Sequence, residues 1–198
     1  MDDIVRQAMA KWPDVPHCAG WLALDARGKW RMRDEAAQRA DAPGDRVANA
    51  ALVGFINRNY AVDERGCWYF QNGPQRVYVN LESTPFVART DPGHGLVLHT
   101  GAPCPTLDRA YFTEAGALIV LGDGVVAQVD DRDMATMLAA LELDGGAVAD
   151  EALLAWLAGQ PGRLALRWNG RVIDVELLAP DEAPARFGFV RRPDRLKN

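Results

Sequence analysis

Apolar residues recur with period two along most of the chain and shift to helical spacing in only a few short stretches. This predicts an α+β protein of mostly antiparallel hairpins and meanders packed on a few short helices. Ile4, Val5, Ala8 and Met9 lie at helical spacing, and Pro13 with Pro16 ends that helix in an extended connector. Gly20–Leu24 and Lys29–Arg33 alternate around Asp25–Gly28, which reads as a hairpin with one wet face. The stretch 34–45 is rich in Ala, Asp and Arg, and Pro43-Gly44 breaks any helix that starts there. Leu52, Val53, Phe55 and Ile56 fall on one face behind a potential cap at Asn49, so a core-facing helix is expected over 48–60.

The strongest pattern is Gly66–Val87. Cys67–Gln71 is β-prone, Asn72-Gly73 suits a tight hairpin, and Val77, Val79 and Leu81 alternate with Arg76, Tyr78 and Asn80. Pro85 interrupts this ladder, and strands resume at Phe86–Arg89 and Gly95–Thr100, completing a meander of five or six strands on one helix. Three more strands are expected at 110–113, 117–121 and 125–129. Helices follow at 131–141, capped by Asp130 or Asp131, and at 150–158, capped by Asp150, with Gly145-Gly146 between them. A second hairpin runs through Arg163–Trp168 and Arg171–Leu178 across Asn169-Gly170, and Pro180 and Pro184 lead into an irregular tail.

Pro103 and Pro105 mark a boundary between an N-terminal β-rich half, 1–105, and a C-terminal α+β half, 106–198. Trp21–Ile56 and Tyr111–Leu141 share the order strand, acidic turn with Gly, strand, helix. That order leaves open an internal repeat of two related β-rich halves.

Composition narrows the function classes. A 198-residue chain with 48% hydrophobic and 25% charged residues is an ordinary globular mixture. The net charge of −5, with both signs mixed, provides no broad cationic face for a nucleic acid. The basic concentration at Arg186, Arg191, Arg192, Arg195 and Lys197 reads as a solvated tail. No apolar run approaches the ~18 residues of a membrane span, and the acidic start Asp2-Asp3 is unlike a signal peptide. Cys18, Cys67 and Cys104 are odd in number and widely spaced, which suits reduced thiols in the cytoplasm.

Pro16-His17-Cys18 with Gly20-Trp21, Asp25-Ala26-Arg27-Gly28, Asn57-Arg58-Asn59-Tyr60 and Gln71-Asn72-Gly73-Pro74-Gln75-Arg76-Val77 together resemble an uncharacterised family of proteobacterial proteins of unknown function. The resemblance covers mainly residues 1–90. More distantly, the order of Gly-turn-Trp, helix, Asp-x-x-Gly, Val-x-Val and Thr-Pro-Phe-Val is similar to a second bacterial family with small β-rich repeats, which implies a signalling role. Neither resemblance implies a catalytic residue.

The candidate chemistry is sparse. His17, Cys18, His94, His99 and Cys104 are the residues that could form a metal site or a Cys–His hydrolase, although no close pair brackets a tight turn. Ser83 lies in E-S-T-P, without the G-x-S-x-G turn that exposes a nucleophile. Asp130-Asp131-Arg132-Asp133 precedes an apolar run and reads as helix capping rather than a cation site. What remains is Arg76 and Tyr78 with Gln71, Asn72 and Gln75 beside the hairpin turn, a combination suited to a protein or small-molecule partner. Trp68 and Phe70 are expected in the core. The reading is a cofactor-free binding or regulatory module, with a small hydrolase or metal-assisted enzyme as the alternative.

Overall fold

A computed structural model describes residues 1–179 and 181–195. Pro180 and Lys197, both named above, lie outside the described residues. The fold is α+β, and it divides into two compact β-rich units: residues 1–85 with the segment from 187 onward, and residues 86–186. Among the described residues no helix is long and apolar enough to cross a membrane.

In the first unit, helix α1 (Asp3–Lys11) precedes strands β1 (Cys18–Leu24) and β2 (Trp30–Met32). Helix α2 (Glu35–Arg39) and strand β3 (Asp45–Arg46) follow. They fill the stretch that Pro43-Gly44 breaks, and Asp34 caps α2 by accepting the Ala37 N–H at 2.8 Å. Helix α3 (Ala50–Arg58) leads into β4 (Tyr60–Val62), β5 (Trp68–Asn72) and β6 (Gln75–Leu81). Asn49 caps α3 as expected, its Oδ1 accepting the Leu52 N–H at 3.0 Å. Replacing Asn49 with Ala should cost about 1 kcal/mol, read as a shift of the urea midpoint. The helix stops at Arg58 rather than Tyr60, because Tyr60 joins β5 opposite Phe70.

The sheet order is β3-β2-β1-β6-β5-β4. It is not the expected meander: β1 runs parallel to β6, pairing Leu22 with Val79 and Leu24 with Leu81. The register puts Phe70 on the face covered by α3, where its ring meets Phe55 edge-on at 5.4 Å. Trp68 shares that face, half-buried and 4.7 Å from the Tyr60 ring. The hairpin turn is Gly73-Pro74 rather than Asn72-Gly73. Asn72 stays in β5 opposite Gln75, and Gly73 alone takes the positive φ, +56°.

The second unit begins at β7 (Phe86–Asp91) and β8 (Gly95–Leu98). The break between the units therefore falls ahead of 105: β7 pairs in parallel with β11 (Val125–Val129), which commits 86–98 to the second sheet. Strands β9 (Arg109–Thr113) and β10 (Leu118–Gly122) lie beside β11. Helix α4 (Met134–Leu138) buries Met137 but ends before Leu141, which begins β12 (Leu141–Leu143) instead of closing the expected helix 131–141. The short β13 (Gly146–Ala147), helix α5 (Asp150–Leu157), β14 (Leu164–Trp168), β15 (Arg171–Leu178) and α6 (Glu182–Phe187) complete the elements. Ala149, not Asp150, holds the cap position of α5. Asn169-Gly170 forms the second hairpin turn as expected, with φ of +48° and +74°.

This sheet has the order β13-β12-β14-β15-β9-β10-β11-β7-β8. Its central six strands, from β12 to β11, repeat the first unit's order and directions, including one parallel pair (β9 with β15) between two antiparallel flanks. The turns agree too. Asp25 Oδ1 accepts the Lys29 N–H at 2.8 Å between β1 and β2, and Thr113 Oγ1 accepts the Ala117 N–H at 3.0 Å in the equivalent turn between β9 and β10. The two halves thus share one β-topology, with β7, β8 and β13 added to the second.

Residues 187–195 are not a solvated tail. Val190 bridges to Cys67, and the Leu81 N–H donates to Arg191 O at 2.8 Å. Arg192 pairs with Asp41 at 2.8 Å and Asp194 at 3.0 Å, while Asn80 Nδ2 donates to Asp194 at 2.8 Å. Arg33, only 3% exposed, donates to Asp41 at 3.1 Å and lies 3.6 Å from Asp194. Arg192 and Arg195 therefore find their counter-charges within the first unit.

Candidate functional site

Cross-strand pairing brings Tyr69 opposite Tyr78 and Gln71 opposite Arg76, on the sheet face turned away from α3. Buried Cys67, Tyr69 and Tyr78 form a small core there with Ala19, Ala61 and Val190. Tyr78 is 7% exposed, and its hydroxyl donates to Asp63 Oδ2 at 3.1 Å while accepting from Arg65 Nη2 at 3.0 Å. His17 meets the Tyr78 ring edge-on at 5.9 Å. Burial alone would raise the Asp63 pKa. The Cys67 N–H, the Arg65 guanidinium and the Tyr78 hydroxyl outweigh that and hold it below the ordinary carboxylate value.

Arg76 differs from its neighbours. Its guanidinium lies over the Tyr69 ring, 4.7 Å from the centroid, half-buried, and among the described residues it has no carboxylate partner. Gln71 is 1% exposed. Its Nε2 donates to Gly73 O at 2.9 Å, but its buried Oε1 has no partner among the described residues. Gln75 donates to Pro16 O at 2.9 Å and so ties the 12–17 connector to the hairpin, while Asn72 is exposed. Of the five sequence-predicted residues, Arg76, Gln71, Asn72 and Gln75 sit around the turn, and Tyr78 is held beneath them. The unpartnered Gln71 oxygen is a burial fact that no sequence pattern signals.

His17, Cys18, His94, His99 and Cys104 are the residues of the metal-site or Cys–His alternative. His17 and Cys18 belong to the first unit and the other three to the second. Among the described residues no group of three or more His, Cys, Asp or Glu could hold a metal ion. His99 packs on Phe86, and its Nδ1 accepts the Val87 N–H at 3.3 Å. Burial raises the pKa of all three thiols, pushing Cys104 up to about 11, so none is an activated nucleophile near neutral pH.

His94 and Cys104 do share the wall of an open cavity of about 340 Å³ in the second unit, together with Thr106, Trp168, Asn169 and Arg171. Sequence reasoning missed it because its walls come from strands far apart in the sheet order. β8 at one edge meets the β14–β15 turn, so closely that a Cβ on Gly95 would stand 2.5 Å from Asn169 Nδ2.

The family model described as "Protein of unknown function (DUF2946)" matches residues 1–194. The chain belongs to this family. No curated protein matches it. Among solved structures, it is similar to a DUF1285 family protein from Silicibacter pomeroyi DSS-3 at 16% identity and a TM-score of 0.49, covering 88% of this chain and 94% of that one. DUF2946 membership agrees with the expectation of an uncharacterised family and brings no activity with it.

Proposed function

We propose that this DUF2946 protein is a non-catalytic binding module that receives a carboxylate-bearing segment of a partner protein at the β5–β6 turn, against Arg76. The observation that carries this is the Arg76 guanidinium, stacked on Tyr69 yet without a carboxylate partner among the described residues. By contrast, Arg33, Arg65, Arg132 and Arg192 each find an acid. A guanidinium pre-oriented by an aromatic face is suited to bidentate capture of a carboxylate. Asn72 and Gln75 border the same turn. Tyr78 acts as a positioning residue that fixes the Asp63–Arg65 turn beside it.

The alternative, a Cys–His hydrolase, lacks an activated thiol. The unbridged cysteines support a reducing compartment, and we place the module in the cytoplasm, in a regulatory role.

Selection from a random peptide display library tests the reading. Wild-type protein should enrich sequences containing Asp or Glu by at least about tenfold over an Arg76→Glu variant. Equal pools from both proteins, or pools without acidic enrichment, would remove the proposal.

A further inference from the structure

We propose that the cavity of the second unit is a binding site for a small planar aromatic carboxylate, independent of the Arg76 face. Trp168 and Arg171 are cross-strand partners flanking the Asn169-Gly170 turn, so a two-residue loop fixes their side chains on one face of the sheet. Both line the cavity, as does Asn169, whose amide is wedged against Gly95. The floor is core: Leu107 and Ile173 are 4% and 3% exposed and do not move independently of the sheet.

The lining selects a ligand class. Among the described residues no acidic side chain lines the cavity, whereas Arg171 and His94 both do, in a protein of net charge −5. Among the described residues the Arg171 guanidinium has only a loose ion pair, 3.9 Å from Asp108, with both side chains more than half exposed, and a bidentate ligand carboxylate would displace it at little cost. The His94 ring is oriented by Asp91, 2.9 Å from its Nδ1. Trp168 offers an indole plane for ring stacking, and Leu107 and Ile173 offer an apolar seat for the ring edge. A volume of about 340 Å³ lies at the low end of small-molecule pockets, which is room for one or two fused rings.

The test titrates the full-length protein with benzoate, nicotinate and indole-3-carboxylate, and with the matching carboxamides, following the Trp168 indole N–H and the Asn169 side-chain amide by NMR. At least one acid should saturate below about 10 mM, its carboxamide should bind at least about tenfold more weakly, and Arg171→Ala should weaken the acid by a similar factor. Cys104→Phe, which fills the cavity, should abolish the shifts, and Arg163→Ala, a charge-matched change elsewhere in the unit, should leave affinity within about twofold. If Cys104→Phe does not fold, Arg171→Ala decides. No saturation by any acid, equal binding of acid and carboxamide, or unchanged affinity in Arg171→Ala would overturn the proposal.

Discussion

Replacing Gly66 with Ala is expected to lose about 3 kcal/mol of unfolding free energy and to expose Cys67. Gly66 holds φ at +78°, in the left-handed region, where a Cβ alone costs about 1 kcal/mol. The larger cost is steric. The new Cβ would stand 2.4 Å from the Gly188 carbonyl oxygen and 3.2 Å from the Phe189 Cα, both backbone atoms that cannot rotate away. The contact belongs to the junction at which Val190 donates to Gly66 O at 2.9 Å and covers the Tyr78 face. Pushing residues 188–190 outward therefore both destabilises the unit and opens the thiol that is 0% exposed beneath it. Urea denaturation and the rate of Cys67 modification by a thiol reagent check this together. Stability within about 0.5 kcal/mol of wild type, with Cys67 still protected, would show that 187–195 does not close this face.

Replacing Asp130 with Asn should cost about 2–3 kcal/mol near neutral pH, and the deficit should shrink in acid. Asp130 is fully buried and accepts from the Arg132 backbone N–H at 3.1 Å and from its Nε at 2.8 Å, with Nη2 on the second oxygen. Arg89 lies 4.0 Å away. Hydrogen bonding by the Arg132 side chain, more than burial, sets the Asp130 pKa, which falls to about 2. Because the folded value lies below the unfolded one, near 3.8, the stabilisation is complete above the unfolded value and disappears as pH falls through about 2. Arg132 is half exposed, so solvent screening keeps the ionic share to about 1–2 kcal/mol, and the lost neutral and backbone bonds supply the rest. Urea midpoints at pH 7 and pH 3 measure the difference between wild type and variant. A gap that widens in acid would contradict the assignment.

Local signals made much of this fold legible. Asn169-Gly170 and the Val77, Val79, Leu81 alternation specify hairpins within a few residues, and Asn49 marks a helix start through its own side chain. What failed was non-local. Tyr60 and Leu141 look like helix ends because they continue an apolar periodicity, yet strands β5 and β14 claim them. The parallel pairings of β1 with β6 and of β7 with β11 join segments separated by whole elements, so a pattern read in order gave a meander. The terminal arginines read as solvated because Asp41, the carboxylate that Arg192 and Arg195 both reach, comes near them only after folding.

The candidate sites divide the same way. Arg76 and the amides of its turn could be singled out from composition on one hairpin, since strand alternation fixes which side chains share a face. That Tyr78 is committed to Asp63 follows from the Asp63–Gly66 turn, and the buried, unpartnered Gln71 oxygen leaves no local pattern to read. The second-unit cavity depends on the approach of Gly95 to Asn169, a contact between distant strands that neither local pattern records.

The most direct test of the binding-module reading is an NMR titration of wild-type protein with an acidic peptide from the display selection, and with the same peptide carrying carboxamides in place of its acids. The account predicts saturable shifts at the Arg76 Nε–H and the Gln71 side-chain amide, at least about tenfold weaker binding by the carboxamide peptide and by an Arg76→Ala variant, and a peptide recovered intact. Shifts centred away from the β5–β6 turn, equal affinity for both peptides, or cleavage of the peptide by the protein would contradict it.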